Sequence, residues 1–189
     1  MNIRNNQQLI DFVDKGKKVE YVLFWGHRRS ADGSITKSCF SQWYKAPFQI
    51  NGITYPTAEH YMMAEKARLF DDKETLQKIL KAKSPGEAKS LGRQVAGFNE
   101  SKWLGERFDI VCRANCAKFT QDPKFKQFLL NTGTKVLVEA SPVDKIWGIG
   151  MAADHEHIHN PRLWKGLNLL GYALMEVREQ LANKHVPDQ

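Results

Sequence analysis

The sequence predicts an α+β fold, a single domain in which helices predominate around a small mixed or antiparallel sheet. Before Tyr55, short runs rich in β-branched and aromatic residues alternate with turn signals, whereas from Thr57 apolar residues recur at helical spacing. The chain also lacks the strand–helix–strand alternation that is typical of a doubly wound sheet. Its 189 residues, 42% of them hydrophobic, are enough for one core.

The elements before Thr57 are short. An amphipathic helix is predicted over residues 5–14, and Gly16 ends it. β-branched and aromatic residues then predict three strands, over 19–25, 38–44 and 48–55. Asn51-Gly52 inside the last of these predicts a type I′ hairpin.

After Thr57, which is a suitable N-cap, the elements are mainly helical. Ser84-Pro85-Gly86-Glu87 combines a capping serine, proline at the first helical position and glutamate at the third. The predicted elements are helices over 57–70, 72–81, from 84 onwards, 100–119, 122–133 and 168–181, with a strand over 136–140. We expect one domain over 1–189, with 1–18 as an extension that carries the short helix and 184–189 as a flexible tail.

The charge of the chain favours an anionic partner. The net charge is +7, which suits phosphate esters, nucleotides or nucleic acid, although a merely soluble basic surface is the alternative. Three cysteines without a Cys-x-x-Cys pair support neither a disulfide scaffold nor a zinc knuckle. No apolar run is long enough to cross a bilayer, and no signal peptide is recognisable. We therefore expect a cytoplasmic or nuclear protein with no membrane partner; its oligomeric state is open, with a monomer as the expectation.

The segment from Thr57 to Lys66 contains the first candidate site. Glu59, Met63 and Lys66 follow the spacing i, i+4, i+7 and therefore share one face of the predicted helix. Glu59 lies in the first turn, where the helix dipole favours a negative charge. A carboxylate and an amine on one face suit a catalytic pocket, but the same pattern describes a partly exposed face with two ordinary charges.

The second candidate site follows the strand over 136–140. Glu139 ends this strand, and a loop with Asp144, Trp147, Gly148 and Gly150 comes next. Glycines allow a backbone to approach a ligand closely, and a tryptophan can stack on a base or ribose. A tryptophan that simply fills a turn in the core is the alternative.

Two further segments carry polar and aromatic residues. Trp25, Gly26, Arg28 and Arg29 follow a strand, and paired guanidiniums suit a phosphate because arginine binds phosphate bidentately. Ser41 and Trp43 add a hydroxyl and aromatic surface.

The run His155-Glu-His-Ile-His159 is a candidate for metal binding because it contains three histidines. Its Asp, Asn and Pro neighbours indicate a polar loop, so no metal site is predicted.

These segments together resemble the NADAR superfamily, which includes YbiA-like N-glycosidases. The resemblance runs from about Phe24 to Leu181, and the order and spacing of its short pieces make it specific. The pieces are Phe24-Trp25-Gly26, Ser41-Gln42-Trp43, Tyr55 to Tyr61 with Lys66, Leu91-Gly92-Arg93, Lys118-Phe119, Leu137 to Ser141, Asp144 with Ile146 to Gly150, and Trp164 to Gly171 with Leu174 to Arg178. It implies a NADAR/YbiA-like fold.

The resemblance also implies cleavage of an N-glycosidic bond between ribose and a nitrogen. One substrate class in the family is ADP-ribose attached to guanine in nucleic acid or a nucleoside, and the other is the phosphoribosylamino-pyrimidine intermediates of riboflavin synthesis. Arg28 and Arg29 with several tryptophans suit a diphosphate and stacked bases, which favours ADP-ribosyl-guanine. A module that binds ADP-ribose without cleaving it, or a non-specific nucleic-acid binder, are the alternatives.

The chemistry needs a carboxylate near C1′, where positive charge develops, and Glu59, Glu139 and Asp144 are the candidates. Lys66, if neutral, is the predicted nucleophile through a Schiff base, with Glu59 or Asp144 as the proton carrier. This route needs no metal or other cofactor. The predicted substrate-binding residues, to which the resemblance adds Asn168, are Trp25, Gly26, Arg28, Arg29, Ser41, Trp43, Met63, Trp147, Gly148, Gly150 and Asn168.

Overall fold

The computed structural model describes residues 3–183, so the predicted tail over 184–189 lies outside the described residues. Capping side chains start most of the helices at the positions that the sequence indicates. The helices are α1 (Asn6–Asp14), α2 (Ala58–Leu69), α3 (Lys73–Leu80), α4 (Pro85–Gly92), α5 (Glu100–Gln121), α6 (Pro123–Leu130) and α7 (Leu169–Asn183). The strands are β1 (Tyr21–Phe24), β2 (Phe48–Ile50), β3 (Ile53–Tyr55) and β4 (Val136–Glu139).

The strands form two separate small sheets, and the predicted helix-dominated α+β class is confirmed. β1 and β4 pair in parallel, with Phe24 opposite Glu139. β2 and β3 pair antiparallel and form the predicted hairpin. Asn51 and Gly52 have φ angles of 51° and 77°, and two positive values in succession are what a type I′ turn requires.

The strand predicted over 38–44 is wrong. A 3-10 helix spans Lys37–Phe40 instead, and a turn follows it. The side chains of this segment satisfy its own backbone, since Ser41 Oγ accepts a hydrogen bond from Trp43 N at 3.1 Å. The buried Lys118 donates from Nζ to Ser41 O at 2.9 Å. These bonds replace those of a strand ladder.

α2 is the central helix of the core. It packs against α3, α4 and α5, and its buried face begins at Ala58 and continues to Ala67. Glu59 and Lys66 therefore belong to a helix that is enclosed by other helices, not to a surface helix.

None of the helices within residues 3–183 combines the length and hydropathy of a membrane span. The predicted polar loop around His155–His159 is present as a series of turns.

Candidate active site

A cavity of about 200 Å³ lies between α2, α4, the end of β4 and the turn after the first 3-10 helix. It brings together residues that are far apart in the sequence. The predicted site residues that line it are Ser41, Trp43, Glu59, Met63, Lys66, Glu139, Asp144 and Trp147. The residues that sequence reasoning missed are Gln42, Met62, Lys89, Gly92, Arg93 and Trp103.

The segment after β1 lies outside this cavity. Trp25 is 59% exposed, and Arg28 is exposed as well. Gly26 has a φ angle of 82° and lets the chain turn away from the strand. Arg29 donates from Nη2 to Lys45 O at 2.6 Å and borders other surface cavities. The structure therefore does not bring the predicted arginine pair to the carboxylates and Lys66.

Asn168 and the glycines of the predicted loop support the wall of the cavity from behind. Asn168 is fully buried; its Oδ1 accepts from Glu139 N at 3.0 Å, and its Nδ2 donates to Leu137 O at 2.9 Å. A Cβ on Gly148 would lie 2.8 Å from Glu139 O. Gly150 has a φ angle of 66°. These residues hold the end of β4, and with it Glu139, in place.

Glu59 is almost completely buried. Only 3% of the residue is exposed, and its Oε1 has no hydrogen-bond partner within residues 3–183. Burial raises the pKa of Glu59 to about 7, and the charge of Asp144 adds to this, while Lys89 opposes it. Glu59 N donates to Gln42 O at 3.0 Å, which joins the start of α2 to the opposite wall.

Glu139 is the last residue of β4, and its environment resembles that of Glu59. Its Oε2 is a second buried oxygen for which the described part of the chain supplies no hydrogen-bond partner. The pKa of Glu139 is raised to about 8, mainly by burial and also by the charges of Asp144 and Glu59, and the charge of Lys89 offsets only part of this rise. At neutral pH this carboxyl group is mainly protonated.

Asp144 is held differently from the two glutamates. Its Oδ1 accepts hydrogen bonds from Ile146 N at 2.8 Å and from Trp147 N at 2.7 Å. Its own backbone N donates to Ser141 Oγ at 3.1 Å. Asp144 therefore folds the loop back on itself and places Trp147 at the cavity.

Lys66 faces aromatic rings instead of a carboxylate. Its Nζ lies 4.5 Å from the centroid of the Phe98 ring and 5.5 Å from that of Trp103. Burial lowers the pKa of Lys66, and the charge of Arg93 lowers it further. In the part of the chain that the structure describes, Lys66 forms no ion pair, with Glu59 or with any other acid. The amine thus lines the same cavity as Glu59, Glu139 and Asp144 without an ion pair to any of them.

α4 supplies two cations that the sequence reasoning did not assign to the site. Lys89 Nζ lies 5.8 Å from the centroid of the Trp43 ring, and Arg93 follows it one helical turn later. A Cβ on Gly92 would lie 2.0 Å from Met63 Sδ, so a larger residue at this position would require the Met63 side chain to move. The i, i+4 spacing of Lys89 and Arg93 around a glycine is a signal that could have identified them.

Gln42 contributes an unused donor to the same wall. Its Oε1 accepts from Asn115 Nδ2 at 2.9 Å, whereas its buried Nε2 has no partner among the described residues. Gln42 lies in the Ser41-Gln42-Trp43 piece that carries the family resemblance, which is the signal that could have identified it. Together with Glu59 and Glu139, it leaves three unsatisfied polar groups at one cavity, an arrangement that suits a polar ligand.

Comparisons with known proteins identify the family to which this chain belongs. The NADAR domain family matches residues 23–182. An N-glycosidase of Acanthamoeba polyphaga mimivirus is 43% identical over 166 residues, which are 85% of this chain and 96% of that protein. N-glycosidase YbiA of Escherichia coli (strain K12) is 35% identical over 143 residues, 76% of this chain and 81% of that protein.

A third relative is much longer than this chain. The riboflavin biosynthesis protein PYRR, chloroplastic, of Zea mays is 38% identical over 136 residues, which are 68% of this chain but 20% of that protein. Among solved structures, the NMR structure of the Escherichia coli protein YbiA superposes with a TM-score of 0.72 at 31% sequence identity, and covers 92% of this chain and 91% of that chain. The chain therefore belongs to the NADAR domain family, as the resemblance of its motifs predicted.

Proposed function

We propose that this N-glycosidase removes ADP-ribose from guanine bases in nucleic acid or nucleosides. The enzyme class predicted from the sequence, a glycosidase, is confirmed by relatives that are named N-glycosidase. One observation carries the finer proposal: Lys66, Glu59 and Glu139 share one cavity, and the amine is not ion-paired with either carboxyl group. A purely structural cluster would be expected to pair these charges.

The reaction begins with the bond between C1′ of the ribose and an exocyclic guanine nitrogen. As the ribose ring opens, positive charge develops at C1′, and the charge of Asp144, which lines the same cavity, lowers the barrier. Lys66 Nζ then bonds to C1′ of the resulting imine. The C1′–N bond to guanine breaks as the guanine nitrogen takes a proton, and water hydrolyses the Lys66 Schiff base to release ADP-ribose.

A nucleophilic Lys66 has to be neutral when it attacks. Burial and the charge of Arg93 both lower the pKa of Lys66, in the direction that this role requires. An ion pair with Glu59 would have acted in the opposite direction, because a carboxylate stabilises the ammonium form. The aromatic rings of Phe98 and Trp103 surround the amine without accepting its proton.

Glu59 and Glu139 are the better candidates for the proton carrier. Asp144 Oδ1 is engaged with the backbone of its own loop, which suits a positioning residue. The raised pKa values of Glu59 and Glu139, about 7 and about 8, allow each to donate a proton near neutral pH. We assign the leaving-group proton to Glu139, the group with the higher pKa.

The aromatic and basic walls favour a substrate with a base and a diphosphate. Trp43, Trp103 and Trp147 offer stacking surfaces, and Lys89 and Arg93 offer positive charge beside them. The second candidate substrate is a phosphoribosylamino-pyrimidine intermediate of riboflavin synthesis. Similarity to a maize protein named for riboflavin biosynthesis favours it.

The test is a turnover assay by mass spectrometry, with ADP-ribosylated guanosine in DNA and the riboflavin-pathway phosphoribosylamine run side by side. Release of free ADP-ribose that is lost in Lys66→Ala and Glu59→Ala supports the proposal. Turnover of the phosphoribosylamine alone would mean that the second candidate is the substrate. Borohydride added during turnover should trap a covalent adduct at Lys66, and the absence of that adduct would reject the nucleophile.

A further inference from the structure

A second cavity, of about 240 Å³, adjoins the candidate active site at Trp43. Trp43 borders both cavities. The His27 ring lines the second cavity, and its centroid lies 5.6 Å from that of the Trp43 ring. Lys89 lines the first cavity, and its Nζ lies 5.8 Å from the centroid of the same Trp43 ring. A ligand that passes along Trp43 would reach from one cavity into the other.

The second cavity is basic. Arg29, Lys45 and Lys83 line it, and no aspartate or glutamate lies among its described lining residues. None of the three cations takes part in an ion pair within residues 3–183. The nearest acid that contacts this wall is Glu87, whose Oε2 accepts a hydrogen bond from Lys83 N at 2.8 Å. Three uncompensated cations around one cavity repel each other, and an anion between them relieves that repulsion.

The rest of the wall gives this cavity a fixed shape. Arg29 is held by its hydrogen bond to Lys45 O and by the Tyr44 ring, 5.5 Å from its guanidinium carbon. His60 uses both ring nitrogens, at 2.8 Å from Thr57 Oγ1 and 3.1 Å from Ala82 O. The guanidinium is therefore oriented in advance, and His60 serves as a structural floor.

We propose that the second cavity binds a phosphate group of the substrate, and that Trp43 supports the part of the substrate that joins the two cavities. This inference rests on the proposed function and deepens it. Lys89 and Arg93 already provide positive charge in the first cavity. A second, separate group of cations fits a substrate that carries more than one phosphate, and not one with a single phosphate on the cleaved ribose.

The test measures binding, by calorimetry, of three probes that the enzyme does not cleave: ADP-ribose, ribose 5-phosphate and a short unmodified single-stranded DNA. The double variant Lys45→Gln/Lys83→Gln removes two charges from the second cavity. Lys17→Gln/Lys73→Gln removes two exposed charges that line neither cavity and serves as the control. We expect the first variant to weaken ADP-ribose binding about tenfold, with ribose 5-phosphate and the control unchanged.

The three probes also locate the phosphate. Loss of affinity for ADP-ribose places it on the sugar side of the scissile bond, and loss for DNA alone places it on the base side; both results support the cavity as a phosphate site. The inference is overturned if neither ADP-ribose nor the DNA loses affinity for the first variant, or if the control variant weakens binding equally. A variant that binds poorly while wild-type turnover is absent would refute the proposed function but leave the phosphate site in place.

Discussion

The acidic and basic walls of the candidate active site are built in different ways. Glu59 and Glu139 on the acidic wall are desolvated, and each has a buried oxygen for which residues 3–183 provide no partner. On the basic wall, Lys66 and Lys89 are half-buried and lie against aromatic rings. One wall therefore favours the neutral form of its carboxyl groups, whereas the two lysines of the other wall form no ion pair within residues 3–183.

This difference supports the proposed role of the cavity in proton transfer. In a stabilising ion pair, each partner favours the charged form of the other, so the pKa of the acid falls and that of the lysine rises. Here the pKa values of Glu59 and Glu139 are raised and that of Lys66 is lowered. The two glutamates and Lys66 thus shift toward a neutral acid and a neutral amine, the pair that the proposed Schiff-base chemistry uses.

The largest effect should come from removing the amine of the basic wall. We expect Lys66→Met, which keeps the contact with Phe98 and Trp103, to lower kcat by on the order of 10³-fold or more. Lys66→Arg should be equally inactive, because a guanidinium stays charged. Lys73→Met, an exposed lysine outside the cavity, is the matched control. Substantial turnover in Lys66→Met with an unchanged Tm would contradict the role of the amine.

The acidic wall should have the next largest effect. Glu139→Gln retains the shape of the side chain but cannot deliver a proton, and we expect kcat to fall by about 10²-fold. Activity of the wild type should decline at alkaline pH as Glu139 ionises, near its pKa of about 8. That decline should be absent from the pH profile of Glu139→Gln. If the activity of the wild type does not change with pH up to pH 9, Glu139 does not donate a proton in the reaction.

A smaller effect separates cations of the basic wall from those on the surface. Lys89→Gln removes a charge beside Trp43 in the cavity, and we expect KM for the ADP-ribosylated substrate to rise about tenfold with a smaller change in kcat. Arg28→Gln removes an exposed charge outside the cavity and should change KM less than about twofold. Equal effects of the two variants would mean that the sequence-based assignment of Arg28 was right and that the cavity does not define the binding surface.

These residues also show how much of the candidate site can be predicted from the sequence. Glu59, Met63 and Lys66 were predicted together because helical spacing places them on one face, and Asp144 and Trp147 because they follow a buried strand. Both signals are local and can be recognised without knowledge of the fold. The structure brings the two groups to one cavity, which the spacing alone does not show.

The residues that were missed depend on packing between distant segments. The i, i+4 spacing of Lys89 and Arg93 places both on one face of α4, but local periodicity does not reveal that this face turns toward α2. The strand predicted over 38–44 fails for the same reason, since the segment is fixed by Lys118, which is 77 residues further along the chain than Ser41. A tertiary hydrogen bond there overrides the β propensity of the sequence.

The smallest expected effect concerns stability, and it tests the acidic wall without any substrate. Folding raises the pKa of Glu139 from its ordinary value near 4.5 to about 8, because burial penalises the carboxylate. Below pH 4.5 the group is protonated in both states and burial carries no charge penalty. Between pH 4.5 and 8 the unfolded chain ionises more readily, so the free energy of unfolding falls as the pH rises. We expect the Tm of the wild type to fall between pH 5 and 8, because the unfolded chain gains stability from ionisation that the folded chain does not. Glu139→Gln should show a smaller fall and a higher Tm than the wild type at pH 8. If the two proteins melt in parallel across this range in calorimetry, Glu139 is solvated and the contrast between the two walls is lost.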